Sequence, residues 1–304
     1  TELVCALGLE GQLIGRSHAC DYPESITDLP VLTSVNYSRA SHSQSKDIHE
    51  SVTRLLQKAL SIYDVDEEML RRLSPGIILT QDHCEVCAVS FNELQKAVRK
   101  TFGDTTQVVS VSPSTLQGIF KSFQNIADAL DVSKKGQDLV ESIQNRFDDI
   151  LDRTQELEKP SVVALEWLDP LMTGGNWMPE MIKIAGGVPH LAEAGKHSPW
   201  CTWDDIHSLD PDILLIVPCG YGINKTMGEM GVLTKNEGWK DLAAVKNNRV
   251  YILDGNHYFN RPGPRIKTSV EILAEIFHPE EFDRHHEKSG WLHYQSTLNA
   301  AGPR

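Results

Sequence analysis

Short apolar runs and amphipathic stretches alternate through the first third of the chain. "QLIG" (12–15), "PVLT" (30–33), "GIILT" (76–80) and "QVVSV" (107–111) predict buried strands. Between them, "DIHESVTRLLQKALSIY" and "SFNELQKAVRKTFG" carry apolar residues three and four apart and predict helices, the second stopped by its glycine. Leu3, Ala6 and Leu7 form one face of a short opening helix that Gly8 or Gly11 ends. From Pro113 to Lys159 the strand signal vanishes. Leu116, Ile119, Phe120, Phe123, Ile126, Ala127 and Leu130 keep helical period, and after a break near "DVSKKG" Leu139, Ile143, Phe147, Ile150 and Leu151 resume it. Alternation returns with the strand "SVVALEW" (161–167), the helix "MPEMIKIAGG", the strand "PDILLIV" (211–217), the helix "WKDLAAVKNN", the strand "RVYIL" (249–253) and the helix "IKTSVEILAEIFHP". The polar tail after Pro279 is expected to be peripheral.

Strand–helix alternation of this kind predicts doubly wound parallel sheets. The expected fold is α/β: two doubly wound lobes joined by a long backbone helix, with a ligand cleft between the lobes. The expected limits are an N-terminal lobe over 1–112, a helical connector over 113–159, a C-terminal lobe over 160–279 and a polar tail over 280–304. Open parallel sheets bind ligands outside the carboxyl ends of their strands. The segments that follow the predicted strands are therefore the candidate cleft: "RSHACDYP" (16–23), "SVNYSR" (34–39), "QDHCEVC" (81–87), "LDPLMTGGNW" (168–177), "PCGYG" (218–222) and "DGNHYFNRPGPR" (254–265).

Composition narrows the function classes. The 304 residues are 40% hydrophobic and 23% charged, with a formal net charge of -13. That charge repels a phosphate backbone or an anionic membrane surface, so neither nucleic acid nor a bilayer is an expected partner. No run approaches the roughly 18–20 apolar residues of a membrane span. Cysteines stand at 5, 20, 84, 87, 201 and 219, too sparse for a disulfide scaffold. The sequence contains no "GxSxG" elbow, P-loop or "GxGxxG" fingerprint, and no complete catalytic constellation points to an enzyme. The opening "TELVCALGLEGQ" lacks the basic region of a signal peptide.

Four segments together resemble a known family: "TEL…ALGLEGQLIGRSHACDYP", "LSPGIILTQDHCEVCAVS", "SPWCTWDDIHSLDPDILLIVPCG" and "YFNRPGPRI". They resemble the vitamin B12/iron-siderophore class of periplasmic binding proteins, nearest to its cobalamin-binding branch, over about residues 1 to 278. The resemblance implies two α/β lobes on a stiff helix and a corrinoid or similar large metal chelate as ligand, with haem or a siderophore as other possible cargo. It implies ABC-transporter membrane subunits as partners, no required cofactor and no bond-making step. The family's usual opening strand, of the type "RIVSLxPSA" before "TEL", does not appear. Trp200 matches an aromatic corrin contact of the family and Phe259 lies in a matching cleft loop. Gln81 stands where the family's carriers have tryptophan, and Ala19 where they often have an aromatic residue.

A corrin or haem is a broad ring with an apolar face and a polar rim. It needs flat walls, which Trp177, Trp200, Tyr258 and Phe259 can supply, as can Tyr22 and Tyr37. Gly174 and Gly175 permit close backbone approach, and Asn176 offers donors and an acceptor. Arg261 can reach amide, carboxylate or phosphate groups. Each has a plainer alternative: buried core for the tryptophans, a surface ion pair or loop anchor for Arg261. In "QDHCEVC", Cys84 and Cys87 beside His83 allow passive pocket lining, direct contact with ligand or metal (with His18 or Cys20 if the loops meet), or a redox pair. Two functional readings stay open. One is a solute-binding protein for a corrinoid-like chelate, periplasmic or at the cell surface. The other is an intracellular metal-, haem- or redox-active protein, cytoplasmic if no signal precedes it, that uses the Cys84/Cys87 pair on the same fold.

Overall fold

A computed structural model describes residues 1–35, 44–57, 63–81, 98–103 and 105–294. The chain divides into two compact units, Thr1–Gln144 and Asn145–Arg304. The first contains α1 (Glu2–Ala6), β1 (Thr33–Val35), α2 (Ser45–Gln57), β2 (Tyr63–Val65), α3 (Glu67–Leu73), β3 (Ile77–Gln81), β4 (Gln107–Val111) and α4 (Leu116–Ala129). The long α5 (Ser133–Thr154) begins there and continues across the division. β3 and β4 pair in parallel from Ile77↔Gln107 to Gln81↔Val111, and β1 and β2 pair antiparallel. Leu70 of α3 and Val98 are buried, with Leu32, Val65, Ile78, Phe102 and Val108 packed on them.

Local chemistry sets the ends of these helices. Asp66 caps α3 by accepting from the Met69 N–H at 2.8 Å, and Thr115 caps α4 by accepting from the Gly118 N–H at 3.0 Å. Gly103, at φ +61, ends the helix over 98–102. α4 buries the predicted stripe Leu116, Ile119, Phe120, Phe123, Ile126 and Ala127.

Two expectations for this unit are corrected. "QLIG" is not a strand: residues 10–12 form a tight turn, Ile14 is exposed, and only Arg16 makes an isolated bridge, to Val31. A run of so few apolar residues has no neighbour to complete a ladder. The helix expected to run through Tyr63 is described as far as Gln57, and Tyr63 itself does not belong to it but opens β2, in register with Val35 of β1.

The second unit holds β5 (Ser161–Leu168), β6 (Leu171–Thr173), α6 (Met178–Ile184), β7 (Val188–Pro189), α7 (Trp203–Leu209), β8 (Ile213–Ile216), α8 (Ile223–Glu229), α9 (Gly231–Thr234), α10 (Ala243–Lys246), β9 (Val250–Leu253), α11 (Ile266–Phe277) and β10 (Trp291–His293). Its sheet runs β10-β9-β8-β5-β6, with β7 paired to the start of β5. The central β9-β8-β5 core is parallel and both outer strands are antiparallel. Val163, Leu165, Leu214, Ile216, Val250 and Ile252 are buried with Ile206, Leu233 and Trp239 in one cluster. Each such aliphatic side chain contributes about 1.5–3 kcal/mol by leaving water, before the entropy it loses is counted.

The tail is not peripheral. β10 pairs with β9, and Trp291 is buried. The anchor is Glu275, itself buried in α11. It accepts from His286 Nδ1 at 2.6 Å, from Trp291 Nε1 at 2.9 Å and from the His285 backbone N–H at 3.1 Å. Burial alone would raise the Glu275 carboxyl, but its hydrogen bonds from His286 and Trp291 outweigh that and the net shift is downward. The bond to Glu275 raises His286 against the opposing effect of burial.

The signs bracket a window. Glu275's contribution is present above its ordinary value of 4.5 and is lost as pH falls through its depressed folded value. His286's contribution is complete below its ordinary 6.5 and is lost as pH rises through its raised folded value. Hydrogen exchange over residues 285–293 is therefore expected to be slowest, after correction for intrinsic rates, between about pH 4.5 and 6.5. His286→Ala should cost roughly 1–3 kcal/mol and remove the high-pH limb of that profile.

Candidate functional site

The carboxyl ends of β5, β8 and β9 meet at one end of the second unit's sheet. Past β8 the chain continues alongside β5: the Val217 N–H donates to Leu165 O at 2.9 Å and the Cys219 N–H to Glu166 O at 3.0 Å. Past β9, the Asn256 N–H donates to Tyr221 O at 3.0 Å, which ties the third strand end to the second. Tyr221 is buried. It donates its hydroxyl to Glu229 at 3.0 Å, stands edge-on to Trp167, and carries Lys225 Nζ 3.9 Å from its ring centre.

The β9 exit is a π-turn, Gly255–Phe259, closed by the Asn260 N–H to Gly255 O at 3.3 Å. Such turns are uncommon and recur at functional sites. Asp254 holds this one open at its start. Its Oδ1 accepts from the His257 backbone N–H and its Oδ2 from the His257 ring Nδ1, each at 2.8 Å. Gly255 is required, because a Cβ there would lie 2.3 Å from Pro218 O and 2.6 Å from Asn260 Oδ1. Arg261 donates to Asn256 Oδ1 at 2.9 Å, and the Arg265 guanidinium lies 5.6 Å from the Tyr258 ring centre.

A second loop, between β6 and α6, locks onto the same region. The Gly174 N–H donates to Ala164 O at 2.9 Å and the Asn176 N–H to Lys196 O at 2.7 Å. Asn176 sits at φ +52, a left-handed position that asparagine tolerates. The close approach expected at Gly175 is real, but it is to the protein's own backbone: a Cβ would come within 2.6 Å of Lys196 O and Ser198 N. At Gly174 the near neighbour is a side chain instead, Met178, whose Cγ would lie 2.9 Å from a Cβ.

Trp177 and Phe259 are likewise interior residues rather than open walls, 5% and 1% exposed. The Trp177 indole N–H donates to Phe259 O at 3.0 Å, so the two loops are stitched together. Trp200 does stand open, at 56% exposure, and bridges Met172 of β6, level with Trp167 near the end of β5.

Between these loops lies Glu166, which the sequence reading passed over. Its carboxyl is enclosed although the residue keeps some accessible surface. Burial pushes its pKa up to about 7, against the lowering by hydrogen bonds from Ser198 and Asn260. Ser198 is buried, donates to Glu166 Oε2 at 3.0 Å and accepts from the Gly175 N–H at 3.1 Å. Asn260 Oδ1 is buried with no partner. The usable signal was a lone acid inside the apolar run "SVVALEW", where burial forces a partner.

In the first unit, His18 Nδ1 lies 2.7 Å from Thr33 Oγ1, Cys20 Sγ accepts from the Thr1 hydroxyl at 2.9 Å, and Tyr22 is exposed, as is Gln81 at the end of β3. Tyr37, His83, Cys84 and Cys87 lie outside the described residues. Among the described residues no three His, Cys, Asp or Glu side chains form a metal-holding group.

The family model described as periplasmic binding protein matches residues 1–257. An uncharacterized ABC transporter substrate-binding lipoprotein, YvrC of Bacillus subtilis, is 25% identical over 93% of this chain and 78% of its own length. The vitamin B12-binding protein of Vibrio campbellii is 21% identical over 91% of this chain and 86% of its own. Among solved structures, the periplasmic heme-binding protein RhuT from Roseiflexus sp. RS-1, in apo form, superposes with a TM-score of 0.66 at 20% identity, covering 92% of this chain and 94% of that one.

Proposed function

The chain belongs to the periplasmic binding protein family, and from that premise we propose that its cargo is a metal held in a large ring, a corrinoid or haem. The family's role is solute capture for ABC-type import, and its members bind a small molecule and dock on transporter membrane subunits rather than carry out a reaction. The observation that carries the finer reading is the pair of stitched loops at the carboxyl ends of β5, β8 and β9. They form a rim fixed by Trp177 and Phe259 that presents a half-exposed imidazole, His257, with the open indole of Trp200 flanking β6. A fixed rim lowers the ordering cost of binding a rigid ring, and an exposed indole supplies a stacking face.

Within this reading Trp200, Tyr258 and Arg261 are the second unit's ring contacts. His18, Cys20, Tyr22 and Gln81 are those of the first, joined by Tyr37, His83 and Cys84. The relatives named for vitamin B12 and heme support this cargo class. The rival reading, an intracellular metal or redox protein built on Cys84 and Cys87, draws no support from these relatives.

The test is a visible-absorption titration of purified protein with aquocobalamin, hemin and a ferric siderophore, each followed by gel filtration. Stoichiometric co-elution of cobalamin or hemin is the expected result. Co-elution of the siderophore alone, or of none of the three, overturns the ring-chelate assignment.

A further inference from the structure

Four features converge on one nitrogen. The His257 side chain is 43% exposed while the Asp254 side chain beneath it is only 10% exposed. A capping aspartate needs one oxygen for the backbone N–H. Here the second oxygen takes the ring Nδ1 at 2.8 Å, so both carboxylate oxygens are spent on one residue. Against a carboxylate Nδ1 is the donor, which in the neutral ring places the lone pair on Nε2. Asn256 agrees with this tautomer: its Oδ1 is taken by Arg261, which turns its Nδ2 toward His257 Nε2 across a long 3.5 Å contact. The π-turn and the tie from Asn256 to Tyr221 fix the backbone that carries the ring.

An imidazole on a half-exposed side chain, with its near nitrogen on a buried carboxylate, is the arrangement of a metal-ligating histidine. A single such donor cannot hold a free ion, which wants several protein ligands. It is sufficient for a metal whose equatorial positions are already filled by a ring, where one axial site is open. We infer that His257 Nε2 is the protein's axial ligand to the ring-bound metal, with Asp254 as the positioning residue that sets its tautomer and aim. The inference rests on the ring-chelate reading above. In the step, Nε2 gives its lone pair to the metal and displaces a bound water, and Nδ1 keeps its proton on Asp254.

The experiment compares wild type, His257→Ala and Asp254→Asn with three probes: hemin, aquocobalamin and metal-free protoporphyrin IX. Binding is read by co-elution and tryptophan quenching, and ligation by the visible spectrum. Wild type should show with hemin or aquocobalamin the band shift that free imidazole produces with that same probe. His257→Ala should lose that shift, regain it on adding imidazole, and bind that metal-ring probe at least tenfold more weakly, while protoporphyrin IX binds both proteins alike. Asp254→Asn should weaken metal-ring binding by about 10–100-fold, the usual effect of removing a histidine's carboxylate partner. Identical metal-ring spectra in wild type and His257→Ala overturn the axial assignment and leave ring capture standing. Failure of both metal rings to bind wild type overturns ring capture, and the ligand assignment with it.

Discussion

Replacing Trp177 by alanine is expected to cost about 3–5 kcal/mol, the range for deleting a buried indole. Two losses combine. The side chain is 5% exposed, so its removal leaves a cavity that the locked Gly175–Asn176 backbone cannot collapse to fill. The Phe259 carbonyl also loses its donor at 3.0 Å, and an unpaired buried acceptor costs roughly 1–3 kcal/mol. Trp177→Phe separates the two: it keeps most of the volume and should show chiefly the second cost. Thermal melts of both variants, with hydrogen exchange at Gly255–Asn260, check this. If Trp177→Ala destabilises the protein without speeding exchange in that turn, the stitch does not hold the turn.

The second large effect is a pH dependence with an unusual sign. Most buried carboxylates in ion pairs stabilise a protein as pH rises. Glu166 does the reverse, because its folded-state pKa of about 7 lies above the ordinary 4.5. Between those values the folded chain keeps a proton that the unfolded chain has released, so stability falls as pH climbs from about 4.5 to about 7. The displacement corresponds to roughly 3 kcal/mol of instability at pH 8 relative to pH 4.5. Asn260 fits both states: its amide N–H can donate to the ionised carboxylate, and its unpartnered Oδ1 can accept from the protonated acid after the amide turns over. Glu166→Gln should therefore melt several degrees above wild type at pH 8 and converge with it near pH 5. Parallel pH profiles for the two proteins would show that Glu166 is ionised throughout.

The parts of this fold that were legible in the sequence are those with a long or pure signal. "DILLIV" and "SVVALEW" are buried on both sides and read as strands because nothing polar interrupts them until Glu166. The stripe from Leu116 to Ala127 announced α4 for the same reason. β6, β7 and β10 are two or three residues long and carry no period at all, so only their partners reveal them. The tail read as peripheral because Glu275 and His286 look solvated until α11 buries one against the other. At the candidate site, the loops that follow the strands were legible in the sequence while the directions of their side chains were not. Gly175, Trp177 and Phe259 face inward since the loops pack on each other, a contact between segments about eighty residues apart that no local pattern encodes. His257 was seen only as a loop histidine, because its meaning depends on Asp254 sharing both oxygens with it.

The outer strands of the second unit's sheet bear on how the protein behaves at high concentration. One flank ends in β10, three residues long. The other is shared by β6, also three, and β7, two residues of which one is Pro189. A neighbouring molecule arriving in extended form finds too few adjacent amide groups on either flank to extend the ladder, and the proline offers none. The parallel interior, rich in isoleucine and leucine and prone to fibril growth if bared, is thereby sealed by fragments too small to template anything.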